Sequence, residues 1–137
     1  DQGLGDLFVI RTAGNIIGDY ELGSIEYAVE HLGVKLVVVM GHEECGAIKA
    51  FLESEEHPLG GHIKTILDAI RKEPEEQKSL LEHGKNIHEA VLANIQHGVT
   101  QIKESAPILS ERAQSGQLSV MGAIYQIEDG RLRFLDF

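Results

Sequence analysis

One cysteine, no tryptophan, three prolines and no long apolar run narrow what this 137-residue chain can be. The lone thiol, Cys45, excludes an internal disulfide and fits a reducing compartment such as the cytoplasm. It is left as either a metal ligand or an inert buried group. The longest apolar run, around residues 36–40, has the length of a strand and falls far short of a bilayer span. Basic residues are scarce too, with 12 Lys and Arg against 22 Asp and Glu and a formal charge of -10. Such a surface repels phosphate backbones and anionic lipid, which argues against nucleic-acid and membrane partners. With aromatics at 5%, the core must be aliphatic. The remaining composition, 42% hydrophobic and 25% charged, is ordinary for one globular domain over residues 1–137. The first residue is Asp1, not Met, so a targeting peptide stays open.

No repeat or linker divides the chain. Leu7-Phe8-Val9-Ile10 reads as a buried strand that ends in the small residues Ala13-Gly14-Asn15. Ser24 is the expected N-cap of a helix through His31, with Ile25, Ala28, Val29 and Leu32 on one face and Gly33 as its stop. Leu36-Val37-Val38-Val39-Met40 lacks alternation, so a strand buried on both faces of a parallel sheet is expected, joined to the first by a right-handed crossover. Ile48, Phe51 and Leu52 mark a helix after it. Ile63, Ile66, Leu67 and Ile70 mark another, and Pro74 sits at the first turn of a third. Ile87, Val91, Ile95, Val99 and Ile102 form a long stripe, and a short helix is expected between Pro107 and Gly116. Asp129-Gly130 between apolar runs predicts a two-residue turn and a last strand antiparallel to its neighbour at a sheet edge. The fold class is α/β: a mostly parallel central sheet flanked by helices, with a C-terminal antiparallel hairpin.

Chemistry concentrates in Val39-Met40-Gly41-His42-Glu43-Glu44-Cys45-Gly46. Here an imidazole and a thiol stand three residues apart just past the carboxyl end of a strand, where open α/β sheets place ligands. The helix starting at Cys45 offers free N–H groups that favour a thiolate, and Gly41 and Gly46 permit a close turn. Imidazole with thiolate points to zinc, although zinc takes three protein ligands in catalytic sites and four in structural ones.

Several ordered blocks resemble the β-class carbonic anhydrases. They are Phe8-Val9-Ile10-Arg11-Thr12-Ala13-Gly14-Asn15, Gly23-Ser24-Ile25-Glu26-Tyr27-Ala28-Val29, the His42–Cys45 block, and Leu118-Ser119-Val120-Met121-Gly122-Ala123-Ile124-Tyr125 followed by Glu128-Asp129-Gly130. The resemblance implies a zinc lyase that interconverts carbon dioxide and bicarbonate, with one zinc per chain held by two cysteines and a histidine. Zinc lowers the pKa of a bound water so that hydroxide attacks carbon dioxide near neutral pH. By position His42 and Cys45 are two of the ligands. Phe8, Ala13 and Tyr27 fall near the family's narrow apolar pocket, with the Gly46 amide facing the bound anion. Phe8 and Tyr27 also have a plain reading as core aromatics. The resemblance further implies a homodimer or a higher multiple of one.

The sequence departs from the family in one large respect. The family's first cysteine ligand and its catalytic Asp–Arg pair lie in a Cys-x-Asp-x-Arg stretch upstream of the Phe8 strand, and are therefore expected before residue 1. The family's first strand, between the Phe8 and Val37 strands, is expected there too. The expectation is that residues are missing before Asp1 or that another chain fills the gap, and that the 137 residues alone bind zinc weakly. Thr12, where the family has Asn, is a minor change. Glu43 and Glu44 add negative charge beside the ligands. Two alternatives stand beside the enzyme reading: a metal-poor relative acting by assembly or binding, and a zinc hydrolase of a similar small molecule such as carbonyl sulfide. The other histidines, His31, His57, His62, His83, His88 and His97, read as surface residues.

Overall fold

The computed structural model describes residues 2–56 and 58–137; His57 lies outside the described residues. Strands β1 (Leu36–His42), β2 (Ser119–Tyr125) and β3 (Leu132–Leu135) form one sheet in that order. β1 and β2 run parallel, from the pair Leu36–Ser119 to the pair His42–Tyr125, and β3 runs antiparallel to β2 at the edge. Between β1 and β2 come α2 (Gly46–Leu52), α3 (Gly61–Lys72), α4 (Pro74–His83), α5 (Ile87–Glu104) and α6 (Ile108–Gln114), while α1 (Asp19–His31) precedes β1. The α/β class and the C-terminal hairpin are as the patterning predicts.

The predicted strand over residues 7–10 does not form. The segment carries no strand pairing, and Leu7, Phe8, Val9 and Ile10 are all exposed. Extended backbone becomes a strand only with a hydrogen-bonding neighbour, and among the described residues none stands beside it. The expected first crossover is absent with it. β1 is likewise not buried on both faces. Val39 and Gly41 face inward, whereas Leu36 and Met40 on the opposite face are exposed. The helix pressing on the sheet is α5, whose Val91, Ile95, Val99 and Ile102 are fully buried, and it covers one side only.

Helix α1 begins at Asp19, six residues before the predicted start after a Ser24 cap. Gly18 is the N-cap, and its amide donates to the Glu21 carboxylate at 2.9 Å. Ser24 instead sits inside the helix and donates its hydroxyl to the Tyr20 carbonyl. Ile25, Ala28 and Val29 are buried as expected, but Leu32 is exposed, and the positive φ of Gly33 ends the helix. The hairpin turn is longer than two residues. Gln126 and Arg131 pair across it, with Gly130 at φ 71 inside the turn. The Asp129 carboxylate accepts from the Arg131 amide, which accounts for an Asp-Gly pair in a wider loop.

Candidate metal centre

His42 is the last residue of β1 and Cys45 is the N-cap of α2, so two residues, Glu43 and Glu44, make the whole connection. The turn is held at both ends. The Glu43 amide donates to the Tyr125 carbonyl at 3.1 Å, carrying the β1–β2 ladder one residue past His42. At the other end the Lys49 amide donates to the Cys45 carbonyl and starts α2. Glu44 sits at φ 52, a left-handed conformation uncommon outside glycine, and this lets the chain reverse in two residues.

Below the turn, β1 lies hard against α5. A methyl group on Gly41 would come within 2.8 Å of both Cγ1 and Cδ1 of Ile95. Gly41 is therefore needed for this close approach, not for the turn the sequence suggested. A side chain at Gly46 would meet nothing. The short 3-10 turn at Ala13–Asn15 packs on the same region, with Gly14 against Ala47 of α2. The Thr12 hydroxyl closes that loop onto the Ile16 carbonyl, and the buried amide nitrogen of Asn15 finds no partner among the described residues.

His42 is exposed at the sheet end, and its Nδ1 lies 2.8 Å from the Glu43 carbonyl oxygen. A carbonyl only accepts, so Nδ1 carries the proton, and in the neutral ring that tautomer leaves the lone pair on Nε2. This is the second contact that metal-bound histidines make. Cys45 is 5% exposed and is a free thiol. The donors fit zinc in kind and in tautomer. In number they fall short, because among the described residues no group of three His, Cys, Asp or Glu side chains could hold a metal ion. Phe8 (48% exposed) and Tyr27 (54%) are not core aromatics, and Ala13 and Gly46 are exposed as well. The structure therefore does not close a pocket over these four.

The sequence profile of the family described as carbonic anhydrase matches residues 1–132. The chain belongs to the carbonic anhydrase family. Its class is β: the chain superposes on the β-carbonic anhydrase CcaA with a TM-score of 0.83 at 31% identity, covering 98% of this chain and 69% of that one. A tetrameric β-carbonic anhydrase from Sordaria macrospora gives 0.81 at 27% identity, covering 98% and 71%. Among curated carbonic anhydrases, carbonic anhydrase 2 of Mycobacterium tuberculosis is 38% identical over 133 residues. That match takes in 96% of this chain but 63% of the relative, so the chain spans less than two thirds of the relative's length. A Synechocystis carbonic anhydrase is 37% identical over 97% of this chain and 52% of its own.

The sequence reading missed three features of this β-class centre: the Glu43 carbonyl that orients His42, the left-handed Glu44, and the Tyr125 carbonyl that anchors the turn. None has a sequence signal, since each acts through the backbone.

Proposed function

We propose that this chain is the larger part of a zinc-dependent carbonic anhydrase that interconverts carbon dioxide and bicarbonate. The observation that carries the reading is the oriented His42, its Nδ1 held by the Glu43 carbonyl, three residues before the N-cap thiol Cys45 at the carboxyl end of β1. His42 Nε2 and Cys45 Sγ would hold the ion, and a second thiolate from a segment preceding Asp1 would complete the set. Bound there, zinc supplies the Lewis acidity that makes water a nucleophile near neutral pH. The chain's own residues do the rest. The Glu43 carbonyl would keep the imidazole from rotating, and the Gly46 amide would meet the bicarbonate anion. Phe8, Ala13 and Tyr27 would line the carbon dioxide pocket once a further segment or a second copy covers them. A dimer by a closed symmetric contact is part of the proposal, supported by the uncovered sheet face that carries Leu36, Met40, Met121 and Phe134.

Stopped-flow carbon dioxide hydration tests the reading. The 137 residues alone should be nearly inactive. A polypeptide that adds a preceding Cys-x-Asp-x-Arg segment should hold one zinc and be active, and His42→Ala or Cys45→Ala should abolish both. A full zinc complement with hydration no faster than buffer would overturn the assignment. The two-donor count is the one observation favouring a second reading, a metal-poor relative that acts by binding. Stoichiometric zinc in the longer polypeptide would eliminate it.

A further inference from the structure

Away from the candidate centre, α4 is held to α5 by polar groups where a hydrophobic seam is the norm. The fully buried positions of α4 and its N-cap are Glu73, Glu76 and Ser79, with Leu80 partly buried against the core beside them, and Glu76 is 0% exposed. Facing them on α5 is Asn94, also buried, whose amide donates to both Glu73 oxygens at 3.2–3.3 Å. Both Glu76 oxygens and the Ser79 hydroxyl lack a hydrogen-bond partner among the described residues. Among the described residues no Lys, Arg or His side chain pairs with either carboxyl. The charged contacts between the two helices among the described residues are Glu75 with His97 at 2.8 Å and, at the far end of α4, His83 with Glu89 at 4.0 Å. On α3, which also packs against α4, Lys64, Asp68 and Arg71 pair with one another at the surface and Lys72 is exposed.

An ionised carboxylate in such a place carries a desolvation cost that nothing there offsets, whereas a neutral carboxyl can donate as well as accept. We propose that the α4–α5 seam is a pH-operated latch, in which α4 stays docked while the Glu73 and Glu76 carboxyls are neutral and leaves α5 as they ionise. Burial pushes both groups up from the usual carboxylate value of 4.5 to about 8, with the nearby Glu75 adding to the rise at Glu73 and Glu73 adding to that at Glu76, while the Asn94 hydrogen bond opposes the rise at Glu73. Because the docked state binds more protons, docking is strongest below about pH 4.5 and weakens as pH climbs from there to about 8. Above that the loss levels off, and within the window each group shifts the equilibrium by up to about tenfold per pH unit. The latch bears on the candidate centre, since Ile95, next to Asn94 on α5, packs against Gly41 just before His42.

Amide hydrogen exchange of the whole chain, corrected for intrinsic rates, is the test. Between about pH 6 and about pH 8 the opening constant of the α4 amides should rise about tenfold or more, while that of residues 99–104 of α5 changes less than about twofold. Glu73→Gln with Glu76→Gln, a neutral pair of nearly the same shape, should flatten the α4 response. Carboxyl-carbon NMR titration of the unaltered chain gives a reading independent of the variants' folding. Midpoints for both glutamates near the usual carboxylate value would overturn the latch, as would α4 opening that ignores pH or rises equally in the double variant. Neither measurement involves zinc or catalysis, so the latch stands or falls apart from the proposed reaction.

Discussion

Replacing Gly41 with Ala should be among the most costly single-methyl additions to this chain. The new carbon would lie 2.8 Å from two atoms of Ile95, where about 3.5–4.0 Å is ordinary contact. Ile95 has little room to yield, being fully buried, and its Cγ2 is already 2.9 Å from where a methyl on Gly122 would stand. Overpacking in a rigid place costs about 1–3 kcal/mol, and the blocked escape argues for the upper half of that range. At this chain length that is a fall in melting temperature of roughly 10 °C. Ile95→Ala alone should cost about 3–5 kcal/mol through the cavity it leaves. In the double variant the Gly41 methyl enters that cavity, so the two costs should fall short of additivity by about 1 kcal/mol or more. Urea unfolding followed by far-UV circular dichroism measures all three, since the chain lacks tryptophan. A Gly41→Ala cost below about 0.5 kcal/mol, or additivity within that margin, would refute the claim that β1 is seated by this contact.

Other substitutions probe the supports of the fold. Asn86 caps α5 by accepting from the His88 and Glu89 amides, so Asn86→Ala should cost about 1 kcal/mol in the same unfolding assay. Asn94→Ala removes the sole hydrogen-bond donor that the Glu73 carboxyl has among the described residues and should cost about 1–3 kcal/mol, whereas Gln96→Ala, an exposed neighbour on α5, should be near neutral. Gly130→Ala places a side chain at φ 71 in the hairpin turn and should cost about 1 kcal/mol without altering zinc content, read by metal analysis of the longer polypeptide.

The elements that could be read from the sequence are those whose burial is set by their own pattern. The β-branched run of β1, the stripe of α5 and the Ile48–Phe51–Leu52 face of α2 carry their periodicity with them. Residues 7–10 have the same apolar character, but whether they pair depends on a neighbouring strand and not on their own residues. The start of α1 was hidden because Asp19-Tyr20-Glu21 shows no apolar spacing, and because Ser24, a good cap by type, bonds backward inside the helix. The buried Glu73 and Glu76 were invisible for a related reason. Acidic residues beside Pro74 read as a solvated first helical turn, and only the packing of α4 on α5 buries them. At the candidate centre His42 and Cys45 were legible as residue types at a spacing, whereas the Glu43 carbonyl that sets the imidazole tautomer was not.

The central claim is that His42 and Cys45 share one zinc ion. X-ray absorption at the zinc edge, on the longer polypeptide loaded with zinc, tests it directly. The expected shell holds nitrogen at about 2.0–2.1 Å and sulfur at about 2.3 Å. His42→Ala should remove the nitrogen and Cys45→Ala should lower the sulfur count, or either should lose the metal outright. A zinc shell unchanged by both substitutions would contradict the account.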